Sequence, residues 1–171
     1  AIGAHTFTLD TTAPFSAQVT RVLDDVGEIQ GQVVKGGKTN DINLTVQGTL
    51  GGAIEGASLG LGESLGIYDG VNYLGDATIT VVAGGQSTWS YEDTRVLLDG
   101  HFASYTAISR DVVGNASVAG DAYTVTVDTT APTTPASAPT GYSDDVGSVT
   151  STSPTNTAPS TDDTQIGRAH V

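Results

Sequence analysis

The sequence predicts an all-β domain built as a two-sheet sandwich of about seven strands, and three observations carry that prediction. Apolar and polar residues alternate in short runs, the period of a strand with one buried face, while the i, i+3, i+4 spacing of a helix is nowhere sustained. The runs are punctuated by Gly, Asp and Asn, the residues that turns select. The third observation is repetition. Asp10-Thr11-Thr12-Ala13-Pro14 returns as Asp128-Thr129-Thr130-Ala131-Pro132 at an offset of 118 (128 − 10), and Asp24-Asp25-Val26-Gly27 returns as Asp144-Asp145-Val146-Gly147 at 120 (144 − 24). A period of that size is one small domain in a tandem array.

Taken in order, the first strand falls around Ala17 to Val22. Ile42, Leu44 and Val46 then give an inward face, with Asn43, Thr45 and Gln47 outward. Leu65 and Ile67 do the same before Asp69-Gly70, a hairpin dipeptide that needs positive φ, after which Val71 to Leu74 return. Ala77 to Val82 precede a Gly84-Gly85 turn, and Thr88 to Tyr91 follow with Trp89 and Tyr91 on one side. His101 to Ser109 and Ala122 to Val127 complete the set, the last with Tyr123, Val125 and Val127 inward. The expected core is Ile42, Leu44, Val46, Ile67, Trp89, Tyr105, Val125 and Val127. This count and length predict a Greek-key, immunoglobulin-like β-sandwich. In that scheme Tyr105 stands where a corner tyrosine ties down the connection between strands E and F, a plain core aromatic being the other reading. The Gly-rich stretch from Gly48 to Gly66 reads as a long flexible B–C loop, since it lacks the Gly-Lys-Ser/Thr ending of a phosphate loop and opens no helix.

The repeat divides the chain into the end of a preceding unit (1–12), a complete domain (13–130) and the start of a following unit (131–165). The Pro, Ser, Thr and Asp of this last stretch would pass for a linker. Its Asp144-Asp145-Val146-Gly147 and Thr161-Asp162-Asp163 align instead with Asp24-Asp25-Val26-Gly27 and Thr39-Asn40-Asp41. Residues 166–171, Ile-Gly-Arg-Ala-His-Val, resemble the in-frame translation of a sequencing adaptor and are set aside from fold reasoning.

The 171 residues carry 6 Lys+Arg against 19 Asp+Glu, a formal net charge of −13. Such a field repels nucleic acid and anionic lipid and favours divalent cations as partners. There is no Cys, so disulfides and thiolate metal sites are excluded. No run approaches the ~18 apolar residues of a membrane helix, and no basic leader with an apolar stretch opens the sequence. Any export signal is expected outside this fragment.

Several strings together carry a family likeness: Thr126-Val127-Asp128-Thr129-Thr130-Ala131-Pro132, Asp24-Asp25-Val26-Gly27, Gly62-Glu63, Ser87-Thr88-Trp89-Ser90-Tyr91, Asp99-Gly100 and Asp111-Val112-Val113-Gly114-Asn115. In this order they resemble the bacterial immunoglobulin-like (BIg) tandem repeats of large calcium-dependent surface adhesins and biofilm-associated proteins. The likeness runs up to Gln165 and departs at Asn40-Asp41, where the family pattern has two acids. It implies a secreted or bacterial cell-surface protein in which the repeats act as spacers.

Ca²⁺ takes roughly 6 to 8 oxygen ligands, which Asp-rich loops supply at short range. The Greek-key topology would bring Asp24, Asp25, Asn40, Asp41 and Asp128 to one pole of the domain. The opposite pole carries Asp111 and Asn115, and in an array it faces Asp10 of the preceding unit, so a second ion could be shared there. By repetition Asp144, Asp145, Asp162 and Asp163 would do the same in the next unit. The plainer alternative for all of them is solvated turn residues.

No catalytic arrangement stands out, because none of His5, His101 and His170 neighbours a Ser or Asp in a motif spacing, and the Asp and Glu residues sit in turns without an aromatic sugar platform. The expected function is a non-enzymatic, calcium-stiffened spacer supporting cell adhesion or biofilm formation. Its partners are neighbouring repeats of the same chain. A host-surface or matrix ligand would be met through other domains, and neither nucleic acid nor membrane insertion is expected. The alternatives are a glycan- or protein-binding immunoglobulin-like module and an accessory domain of a secreted hydrolase.

Overall fold

The computed structural model describes residues 6–133, 142–144 and 151–153, and contains no helix among them. The chain divides into two compact units, Ala1–Thr130 and Ala131–Val171. Among its described residues the first holds ten strands: β1 Ala17–Asp24, β2 Gly31–Val33, β3 Lys38–Thr39, β4 Thr45–Leu50, β5 Ser64–Asp69, β6 Asn72–Asp76, β7 Thr78–Thr80, β8 Thr88–Glu92, β9 Phe102–Arg110 and β10 Tyr123–Val127. They form two five-stranded sheets in the orders β2-β1-β4-β8-β7 and β3-β10-β9-β5-β6. All pairings are antiparallel except β3 with β10, which is parallel. The domain is a β-sandwich, with β2 and β3 the strands that the sequence pattern does not reveal. Two or three residues between turns are too few to display an alternation.

Alternation on the longer strands closes one continuous core. Val22, Leu44, Val46, Leu50, Leu65, Ile67, Trp89, Tyr105, Val125 and Val127 are essentially solvent-free. Ile42, expected in that set, is only half-buried, because it precedes β4 and packs at the margin while its carbonyl accepts the Leu97 N–H at 3.1 Å. Asp69 and Asn72 pair across the β5–β6 hairpin, whose two linking residues are Gly70 and Val71, so the turn falls one residue later than the Asp69-Gly70 dipeptide and takes its positive φ from Gly70 alone, at 59°.

The stretch from Gly48 to Gly66 is not all loop. Gly48 lies inside β4 opposite Trp89, and a Cβ there would collide with the indole ring and with the Gln18 carbonyl. Gly66 lies inside β5, where a Cβ would come 3.1 Å from the Tyr73 ring. Glycine here makes room for an aromatic neighbour rather than a bend. The true connection, 51–63, is pinned by Gly51 N–H to the Ser16 carbonyl (2.8 Å), by Gly56 N–H to the Gly85 carbonyl (2.7 Å), and by the buried Ala57.

In the second unit, β11 Tyr142–Asp144 pairs antiparallel with β12 Ser151–Ser153. Its register, Asp144 with Ser151 and Tyr142 with Ser153, equals that of β1 with β2, Asp24 with Gly31 and Val22 with Val33, shifted by 120 residues (144 − 24, 151 − 31). The repeated sequence thus forms the same local hairpin twice.

Candidate functional site

β1, β5 and β10 of the first unit end at one pole, called downstream because the chain leaves there; β1 begins and β9 ends near the other, upstream pole. At the downstream pole Asp24 and Asp41 are both buried and share Thr39. The Thr39 hydroxyl donates to Asp24 Oδ2 at 2.6 Å and accepts the Asp41 N–H at 3.1 Å. Asp24 Oδ1 accepts the Val26 N–H (2.9 Å), Asp41 Oδ1 the Asn43 N–H (2.8 Å), and Asp41 Oδ2 the Asp25 N–H (3.2 Å). The Asn40 amide lies against Gly27. Every donor to these two carboxylates is neutral, and among the described residues no Lys, Arg or His reaches either within salt-bridge distance.

Asp128 reaches the same pole because β10 runs parallel to β3, and its N–H donates to the Thr39 carbonyl at 2.7 Å. Its carboxylate turns outward to Lys38 Nζ at 2.7 Å. Hydrogen bonding to Lys38, then its charge, holds the Asp128 carboxyl below its ordinary pKa and raises that of Lys38. Asp99 accepts the Thr129 N–H at 2.6 Å and the Thr130 hydroxyl at 2.9 Å, bonds that lower its pKa as well.

At the upstream pole Asp111 gathers its own loop: Oδ1 accepts the N–H groups of Val113 (3.0 Å) and Asn115 (2.8 Å), and Oδ2 the Asn115 side-chain amide at 2.7 Å. Burial pushes the Asp111 carboxyl up, but hydrogen bonds from Asn115, Val113 and Gly114 outweigh it and its pKa falls. The same Asn115 amide donates to the Asp10 main-chain carbonyl at 3.1 Å, while the Asp10 carboxylate accepts the Thr12 N–H at 2.9 Å. Asp144 lies in β11, and Asp145, Asp162 and Asp163 fall outside the described residues.

Sequence reading missed a larger polar network at the downstream pole. Asp93, fully buried between β8 and β9, accepts the Arg95 guanidinium through Nε (2.9 Å) and an outer nitrogen (2.7 Å), and the Tyr105 hydroxyl at 2.7 Å. Tyr105 therefore does tie down the connection between its strand and the preceding one, through a carboxylate. Asp69, at the end of β5, accepts Arg95 (3.1 Å), His101 Nε2 (3.0 Å) and the Ser104 N–H (2.8 Å). Burial, the largest influence on Asp93, pushes its carboxyl up, yet hydrogen bonds from Arg95 and Tyr105 together bring it below the ordinary value. Burial and Asp93 push the Tyr105 hydroxyl far up. These partners are 26 residues apart for Asp69 and Arg95 and 12 for Asp93 and Tyr105, so no local motif announces them.

The oxygen-only, acidic donor set of the downstream loops is of the kind Ca²⁺ takes. Its fit is partial, because the Asp128 carboxylate is committed to Lys38 and those of Asp24 and Asp41 to internal donors. Among the described residues no three of His, Asp and Glu stand together as a ready metal site. No family model matches this chain, and no curated protein matches it. Function therefore rests on the geometry and the repetition.

Proposed function

We propose that this chain is a non-enzymatic structural spacer from a secreted bacterial surface adhesin, one unit of a tandem array that supports adhesion or biofilm formation. The observation that carries this reading is the β1–β2 hairpin register reproduced 120 residues on by β11–β12. A sandwich whose own opening hairpin recurs after its last strand belongs with copies of itself. The connections 51–63 and 111–121 contain no aromatic residue, which disfavours a glycan- or protein-gripping module.

Calcium belongs to this proposal at the downstream pole. Asp24, Asp25, Asn40 and Asp41 would hold it, with Asp128 joining if Lys38 is displaced. Two buried carboxylates answered only by neutral donors support the assignment, since an added cation would meet uncompensated charge. An ion that binds the folded loops and not the unfolded chain stabilises by mass action. The test is thermal unfolding in millimolar Ca²⁺ and in chelator, on the wild type and on a variant with Asp24, Asp25 and Asp128 replaced by Asn. A melting temperature that rises with Ca²⁺ in the wild type alone is expected. No shift in the wild type removes calcium from the proposal.

A further inference from the structure

The two copies of Asp-Thr-Thr-Ala-Pro are gripped by different groups, and the atoms used do not overlap. At the downstream copy Asp99 takes the Thr129 N–H and hydroxyl and the Thr130 hydroxyl, while Lys38 takes Asp128 Oδ2. At the upstream copy only main-chain carbonyls are used. Asn115 donates to that of Asp10 at 3.1 Å, and the buried Ser109 hydroxyl to that of Phe15, the residue after the Pro, at 2.7 Å. Both copies keep the same inner turn, Thr12 N–H to Asp10 Oδ1 (2.9 Å) and Thr130 N–H to Asp128 Oδ1 (3.3 Å). One string can accept both grips at once.

The residues before the upstream copy show what stands on its other side. Phe7 and Leu9 precede Asp10 as Val125 and Val127 precede Asp128, at the common offset of 118 (125 − 7, 127 − 9). Val125 and Val127 are fully buried in the sandwich, whereas Phe7 and Leu9 are 90% and 78% exposed. Two large exposed apolar side chains two residues apart, the spacing of one face of a strand, call for a covering core, and the sequence correspondence names it: the sandwich of another copy.

We propose that this string is a two-sided hydrogen-bonded clasp between consecutive copies of the domain, gripped by Asp99 and Lys38 of one copy and by Asn115 and Ser109 of the next. It sets the joint without a metal ion. The inference rests on the array part of the proposed function and not on its calcium. Pro14 and Pro132 add to it by fixing φ within the clasp and keeping the preceding Ala extended.

The test uses the full chain with residues 13–130 duplicated in tandem, so that the seam again reads Asp-Thr-Thr-Ala-Pro. Amide relaxation and residual dipolar couplings measured in chelator report whether the two copies move as one body. One shared alignment is expected. Asn115→Ala in the following copy should release it and speed amide exchange at the seam about tenfold, the loss of one hydrogen bond to the string, and Asp99→Ala in the leading copy, which removes three, should speed it by at least that much. Asp99 is exposed and at the far pole from Asn115, so it carries the test alone if Asn115→Ala does not fold. Independent motion with and without Ca²⁺ overturns the clasp and the stiff array together. A joint that stiffens only in Ca²⁺ overturns the clasp and leaves the calcium reading standing. Stiffness in chelator that survives both substitutions overturns the assignment to these residues.

Discussion

Two pairs of buried aspartates lie at the same pole, and the domain satisfies them in different ways. Asp69 and Asp93 are answered from inside by Arg95, with His101 on Asp69 and Tyr105 on Asp93. Asp24 and Asp41 receive only N–H and O–H groups. Asn43 stands between them, its N–H on Asp41 and its side-chain amide on the Arg95 carbonyl at 2.8 Å. Burying a carboxylate is tolerable with a cation or with enough hydrogen bonds, but only the first arrangement removes the charge. One pair shares a guanidinium across its two carboxylates; the other has no cation within salt-bridge distance among the described residues.

Removing Arg95 should expose this contrast most strongly. Arg95→Ala leaves Asp93 buried without its cation and is expected to cost about 3 kcal/mol, the low end for a broken buried pair because Arg95 itself is partly exposed. Urea denaturation measures it, and a cost near that of an ordinary surface substitution would erase the distinction between the pairs. Tyr105→Phe removes one buried donor and should cost about 1–3 kcal/mol in the same assay.

The next expectation concerns pH. Asp93 titrates below its ordinary 3.8 in the folded state, so its stabilising contribution is complete above that value and fades as pH falls through and below it. In Arg95→Ala burial acts with less opposition, the folded pKa rises, and the acid limb of the stability curve should move to higher pH. An unmoved limb would mean that Arg95 does not hold the carboxylate ionised. The smallest effect belongs to the other pair. Asp24→Asn keeps an acceptor for Val26 and lets the Thr39 hydroxyl turn to accept, so in chelator the melting temperature should change little. A large loss there would show that Asp24 serves the fold through its charge rather than through hydrogen bonding.

How much of this was legible depends on range. Period-two alternation marks β4, β9 and β10 because each buries one face along several residues, and Gly70 marks the β5–β6 hairpin to within a residue because the turn chemistry is local. Gly48 misleads as a loop signal, since what requires glycine there is the Trp89 ring on the neighbouring strand. The Arg95 network leaves no trace in spacing, because the β8–β9 connection that holds Asp93, Arg95 and His101 meets Asp69 of β5 and Tyr105 of β9 only in the folded sandwich. The candidate loops were visible as Asp-rich strings, but nothing in the strings tells that Lys38 takes Asp128 or that Thr39 joins Asp24 to Asp41.

The parallel pairing of β3 with β10 bears on how the domain would respond to being pulled. β1 begins near one pole and β10 leaves at the other, so tension between the ends runs along the strands and across their hydrogen bonds. Bonds loaded in this way must slip together, whereas a hairpin opened from its mouth peels one rung at a time. The contacts of β10 with β9 and β3, including the Asp128 N–H to the Thr39 carbonyl, would share the load at the moment of failure. Thr39, whose hydroxyl also holds Asp24, would then couple the tightness of that loop to the tension at which the domain yields.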